Sequence, residues 1–214
     1  DSRRAFEMAW LNSHFETGLK SPLDEAILRH ETVDAAAWRK LDEVPFDFER
    51  RRVSVLVERG GERLLVVKGA PEDVLALSSA AETPDGGTRP LDAAGRAALH
   101  AAFEAFGAEG CRALAVACRT TAPDHATAVV TDEAALVFVG FAVFLDPPKQ
   151  SAAAAIHALA RDGVAVKILT GDNERVAVHL CAQLGIRVSG VLTGDALHSL
   201  SDEALRARLR RTSL

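Results

Sequence analysis

The chain has 214 residues, 48% hydrophobic and 26% charged, a balance that excludes a disordered polypeptide and suffices for one large domain or two modest ones. Its net charge of −5 argues against a general nucleic-acid-binding surface. Its three cysteines, Cys111, Cys118 and Cys181, have neither an even count nor C-x-x-C spacing, so they read as reduced core thiols in a cytosolic compartment rather than a disulfide frame or a metal site.

The opening "DSRRAFEM" lacks the apolar stretch of a secretory signal. "FEMAWLNSHF" and "SPLDEAILRH" read as helices, the second with Ser21 as N-cap and Pro22 in its first turn. In "RRVSVLVERGGERLLVVKGA", Val53, Val55 and Val57 alternate, Gly60-Gly61 turns the chain and Leu64 to Val67 return, which is the pattern of a hairpin. "APEDVLALS" starts a helix with Pro71 and two acids in its first turn, and "ETPDGGTRPLD" has the composition of a surface loop. A helix, "AAGRAALHAAFEAFGAEG", should stop near Gly107 or Gly110, and "CRALAVACR" is another strand. Hairpin-joined strands with helices on one side predict an antiparallel α+β domain. Beyond about Thr131 the rhythm changes. The longest uncharged run, "AALVFVGFAVFL" (Ala134 to Leu145, 12 residues), is too short to cross a bilayer and suits a buried strand. "PPK" and the helix "QSAAAAIHALARDG" follow, then a strand "VAVKIL", a helix "ERVAVHLCAQLG" and a short strand "GVLTG". That alternation predicts a parallel sheet with right-handed crossovers, joined to the first part across the stiff Pro147-Pro148 pair.

The chain contains no GxxxxGK[ST], GxGxxG, GxSxG or HExxH. Its seven histidines are scattered, with none paired at metal-ligand spacing. "TGDN" follows "VAVKIL" and gathers the Thr170 hydroxyl, backbone N–H groups and a helix N-terminus at one point, a place for an anion. Asp172 there makes sense beside a phosphate mainly if Mg²⁺ or a lysine intervenes. Equally, "TGDN" reads as an ordinary helix start capped by Asp172 or Asn173. In "VPFDFERRRVSV", Phe46 and Phe48 precede three arginines, either a solvated face beside core aromatics or part of a binding surface. In "VVKGAPE", Lys68 ends an apolar strand beside Gly69 and Ala70, whose small bulk lets a flat ring approach, or the lysine simply snorkels to solvent.

Taken in order, "KSPLDEAIL", "DEVPFDFERRRVSV", "LLVVKGAPE", "CRALAVA", "FLDPPK" and "ILTGDN" resemble the cytoplasmic segment of a P-type ATPase. The magnesium-transporting branch, with "AWLNSHFETGLKSPLDEAIL", looks most similar. The resemblance covers essentially the whole chain. It implies an α+β nucleotide-binding domain over 1–145, an antiparallel sheet flanked by helices. A partial α/β haloacid-dehalogenase-like (Rossmann-type) phosphorylation domain would follow over 146–214, with Asp146 at the hinge. By matching position, Phe46 would stack on adenine, with Lys68 lining the pocket and Gly69 and Ala70 as its floor. Asp24 matches an acidic position of the family, although its setting here is "PLD". Arg112 matches an arginine that reaches the nucleotide phosphates. Thr170, Gly171 and Asp172 match the loop around the phosphoryl group and its Mg²⁺. The resemblance thus implies ATP and Mg²⁺ as ligands.

The family's nucleophile, an aspartate in a "DKTGT" motif that forms an aspartyl-phosphate, is absent from the sequence, as is the later "GDGxND" element. The expectation is therefore a fragment that binds ATP without turning it over. The rest of the polypeptide, its transmembrane and actuator domains, would be its partner at the cytoplasmic face of a bacterial inner membrane. Two other readings stay open: a haloacid-dehalogenase-like phosphatase with a large cap, and a non-catalytic protein-interaction module. Within the family, calcium or another cation also remains open.

Overall fold

The computed structural model describes residues 2–18, 20–145, 147–171 and 173–214, with only the backbone at position 195. They form two compact units, Asp1–Phe103 with Ala113–Phe144, and Glu104–Arg112 with Leu145–Leu214.

The first unit is built on a seven-stranded sheet. In chain order its elements are α1 (Arg3–Phe15), α2 (Pro22–His30), β1 (Arg39–Asp47), β2 (Arg52–Arg59), β3 (Glu62–Gly69), α3 (Pro71–Leu77), β4 (Ser78–Glu82), β5 (Thr88–Pro90), most of α4 (Ala93–Ala108), most of β6 (Cys111–Thr121), a 3₁₀ turn (Val130–Asp132) and β7 (Leu136–Leu145). The strand order is β1-β2-β3-β6-β7-β4-β5. The predicted hairpin is present: Arg59 pairs with Glu62, and Gly60 and Gly61 between them take φ of 59° and 84°, the positive values a two-residue hairpin loop needs. α2 starts as the sequence predicts, because Ser21 and Asp24 form a reciprocal capping box with Pro22 at the first helical position.

β2 and β3 are buried on both faces, as the unbroken apolar runs of a central strand require. On one face Val55, Val57, Val66 and Val116 pack against Met8, Ala9 and Leu11 of α1 and Ile27 of α2. On the other Leu56, Leu65, Val67 and Ala117 pack against Val74 and Leu75 of α3, with Leu136 and Phe138 of β7. Burial of side chains this size stabilises by about 1.5–3 kcal/mol each. A polar group crosses the first layer: the Asn12 amide of α1 donates to the carbonyls of Val53 (3.2 Å) and Val66 (2.9 Å).

Three expectations are corrected. The sheet is mixed, because β4 runs parallel to β7 while the β1-β2-β3-β6 ladders are antiparallel. Helices cover both of its faces, not one. The "ETPDGGTRPLD" segment is a short hairpin, with β4 and β5 paired from Ala80–Pro90 to Glu82–Thr88.

The second unit contains α5 (Gln150–Arg161), α6 (Glu174–Gln183), α7 (Gly194–His198) and α8 (Asp202–Leu209). Among its described residues beyond β7 there is no strand, so "VAVKIL" and "GVLTG" do not form the predicted parallel sheet. A strand is defined by a ladder. Here Ile168 N–H donates to Ser213 O, Leu192 N–H donates to Leu214 O and Leu214 N–H returns to Gly190 O, contacts that do not extend into a ladder, and Leu169 is 91% exposed. Among the described residues no helix is long and apolar enough to cross a membrane.

Candidate functional site

The register brings four of the singled-out residues to one end of three neighbouring strands. Asp47 of β1 pairs with Arg52 of β2, and Arg52 pairs with Gly69 of β3. Phe46 precedes Asp47 by one position, and Lys68 and Ala70 flank Gly69.

Phe46 is 53% exposed on a strand whose partner is almost wholly buried, and it meets Phe48 edge to face with ring centroids 5.3 Å apart. Gly69 is there for a packing reason. A Cβ at this position would lie 2.4 Å from Arg52 Cβ and 2.5 Å from Arg51 O. The close approach lets Ala70 N–H donate to Arg51 O at 3.0 Å, which fastens the end of β3 to the turn after β1. Arg51 takes a φ of 49° in that turn and pairs with Asp73 of α3 at 2.8 Å.

Lys68 does not snorkel. It is 4% exposed, and its Nζ donates to Asp24 Oδ1 and to Ser13 Oγ (2.7 Å), with Glu16 Oε1 at 3.8 Å. The resemblance-derived position Asp24 is therefore the buried counter-ion of the resemblance-derived lysine. Ser13 Oγ donates to Asp24 Oδ1 at 3.0 Å, while Ser21 N–H and Oγ donate to Oδ2 at 2.9 and 2.6 Å. Burial alone would raise the Asp24 carboxyl, but the Lys68 charge and hydrogen bond, with the Ser21 bonds, hold it at about 2, below the ordinary 3.8.

Glu16 behaves in the opposite way. Burial pushes its carboxyl up to about 7 from an ordinary 4.5; Asp24 adds to the rise and Lys68 opposes it. Its Oε1 has no hydrogen-bond partner among the described residues. The folded chain thus holds a proton on Glu16 up to about pH 7, and the unfolded chain only to about 4.5. The folded state binds more protons in that window, so stability should fall as pH rises from 4.5 to about 7 and level off above it. Urea unfolding across this range should show the decline in the parent chain and a flatter profile in Glu16→Gln. A parent profile rising over the same window would contradict the assignment.

The remaining candidates lie in the second unit. Arg112 lines a small hollow with Gly110, Pro147 and His179. Thr170 and Gly171 precede α6, whose N-cap is Asn173, its side chain accepting from Arg175 N–H at 2.9 Å. Asn173 is thus one of the two caps that the helix-start reading of "TGDN" named. Asp172 and Asp146 lie outside the described residues. Among the described residues no group of three His, Cys, Asp or Glu could hold a metal ion. All three cysteines are free, Cys118 and Cys181 of them buried.

Ser13, Glu16 and Glu133 escaped the sequence reading. The first two had a signal: Ser13, with Asn12, interrupts the apolar face of α1, and Glu16 follows at its C-cap. Glu133 had none.

A mixed seven-stranded sheet with helices on both faces is consistent with a nucleotide-binding domain. The family described as "P-type ATPase, cytoplasmic domain N" matches residues 4–151, and the chain belongs to it. Over its whole length the chain is 39% identical to "Magnesium-transporting ATPase, P-type 1" of Escherichia coli K12 and 40% identical to the protein of that name from Salmonella typhimurium. It is 35% identical, over 69% of its length, to "Calcium-transporting ATPase 3, endoplasmic reticulum-type" of Arabidopsis thaliana. It spans 24% of the length of each of the two bacterial relatives and 15% of the plant one.

Proposed function

We propose that this chain binds ATP at the strand end that carries Phe46, as the nucleotide-binding part of a Mg²⁺-transporting ATPase. The observation that carries the reading is the row Asp47–Arg52–Gly69, which sets an exposed aromatic ring, a position without side-chain bulk and Ala70 side by side. Phe46 stacks on the adenine base, and Gly69 and Ala70 leave room for the ring. Lys68, its charge met by Asp24, supports the pocket from within the sheet. Arg112 supplies a fork for the phosphates.

Residues 146–214 belong in this reading to a haloacid-dehalogenase-like phosphorylation domain, in which Thr170, Gly171 and Asp172 surround the transferred phosphoryl group. Mg²⁺ arrives with the nucleotide phosphates. In the whole protein the γ-phosphate passes to an aspartate outside this sequence, and transmembrane and actuator segments couple that step to ion movement at a bacterial inner membrane. Magnesium is favoured over calcium because the magnesium transporters match the chain over its whole length and the plant calcium transporter over 69%.

Stacking of an aromatic side chain on a base is worth about 1–3 kcal/mol. Phe46→Ala should therefore weaken ATP binding by roughly 5- to 150-fold by calorimetric titration, with the thermal midpoint little changed because the ring is half exposed. An unchanged affinity would remove Phe46 from the site.

A further inference from the structure

Glu133 is a fully buried carboxylate on no regular element, one residue beyond the 3₁₀ turn. It accepts four bonds from three side chains. Arg50 Nη1 reaches Oε1 and Oε2 at 2.7 and 2.9 Å, Arg52 Nε reaches Oε2 at 2.6 Å, and Ser54 Oγ donates to Oε1 at 2.6 Å. The same Arg50 guanidinium donates through Nη2 to the carbonyl of Pro45 at 2.5 Å, and Arg52 Nη1 donates to Arg50 O at 2.9 Å. Both ends of the Pro45–Arg52 turn are thus tied to one carboxylate, and Phe46 is the residue after the tethered Pro45 carbonyl. The turn is shaped internally as well. Asp47 Oδ1 accepts from Glu49 and Arg50 N–H, and Asp47 O accepts from Arg51 N–H. On the other side Glu133 is anchored through its neighbour Asp132. The Asp132 carboxylate accepts from Val129 N–H and meets His125 Nε2, both at 3.0 Å, while its carbonyl accepts from Arg119 Nη1 at 3.1 Å.

We infer that Glu133 is a positioning residue for the nucleotide base: through Arg50 and Arg52 it fixes the turn so that the Phe46 ring is already placed when the nucleotide arrives. This rests on the proposed stacking role of Phe46. A buried ionic group need not add stability, since its desolvation offsets the attraction, so a specific geometry is the better reason for one this fully satisfied. Ordering a binding turn in advance removes a cost that would otherwise be met on binding.

The test is a cycle of ATP titrations on the parent chain, Glu133→Gln, Phe46→Ala and the double variant, with amide hydrogen exchange on each. Glu133→Gln should weaken ATP binding by about tenfold when Phe46 is present and by no more than about twofold in the Phe46→Ala background. Faster exchange should be confined to residues 46–52, with the Val55–Val66 ladder unchanged. Arg50→Lys, which keeps the charge but loses the fork that spans Glu133 and Pro45 O, should reproduce the Phe46-dependent loss if Glu133→Gln does not fold. Equal losses in both backgrounds, or exchange quickened throughout the sheet, would reduce Glu133 to a structural residue. A Phe46-dependent affinity left intact by Glu133→Gln and Arg50→Lys would overturn this assignment alone. Identical ATP responses of the parent and Phe46→Ala chains would overturn the stacking role, and this inference with it.

Discussion

Asp24→Ala is expected to destabilise the first compact unit by about 3–5 kcal/mol, the cost of leaving one partner of a buried ion pair without the other. Lys68 Nζ would keep only Ser13 Oγ and the distant Glu16 carboxylate, deep in a site where it is 4% exposed. The same substitution removes one half of the capping box of α2, so helix fraying adds to the loss. Urea unfolding would measure it. Replacing both partners, as in Asp24→Leu with Lys68→Met, should recover much of the stability, because apolar groups of similar size need no counter-charge. A single variant within about 0.5 kcal/mol of the parent would mean that the pair is not intact in solution. The pH dependence has a definite sign. The folded carboxyl titrates at about 2 instead of 3.8, so its contribution is complete above pH 3.8 and disappears as pH falls through about 2.

Gly69→Ala should be the second large effect, and a more local one. The added Cβ would sit 2.4 Å from Arg52 Cβ, 2.5 Å from Arg51 O and 2.8 Å from Arg52 Cα. Two of these three atoms are backbone, so no rotamer change relieves the clash, and β2 and β3 must separate where the Phe46 turn begins. Overpacking of this kind costs about 1–3 kcal/mol. The Ala70 to Arg51 bond should be lost with it, visible as a shifted and faster-exchanging Ala70 amide. ATP affinity should drop more than stability, since the displaced strands carry the proposed base platform. A Gly69→Ala chain with parent-like stability and an unshifted Ala70 amide would show that the approach is looser than the structure has it.

Much of this fold was legible wherever the instructions are local. Ser21, Pro22 and Asp24 spell a helix start within four residues, and Gly60-Gly61 between alternating valines spells a hairpin. The elements that were missed are defined by distant partners. β1, "RKLDEVPFD", has no clean alternation and owes its strand character to pairing with β2 through two irregularities. β4 is held by β7 on one side and β5 on the other, and its own "SSAAE" says nothing of either. The opposite error fell on "VAVKIL", a strand by composition that has no ladder to join. Phe46, Lys68, Gly69, Ala70 and Asp24 became candidates for one site only through the ordered set of motifs, because each string alone has an ordinary structural explanation. Glu133 was invisible for a physical reason: its arginine and serine partners are 79 to 83 residues away, and an acid in "TDEAA" looks like any surface residue until the chain folds over it.

If a nucleotide docks on the shared end of β1, β2 and β3, amide chemical shifts of the ¹⁵N-labelled chain during an ATP titration will report it. Saturable shifts should cluster at Phe46 to Arg52 and Lys68 to Ala70 and be absent from the far end of the hairpin around Gly60 and Gly61. A folded chain whose amides do not respond to millimolar ATP, or respond only away from that strand end, would contradict it.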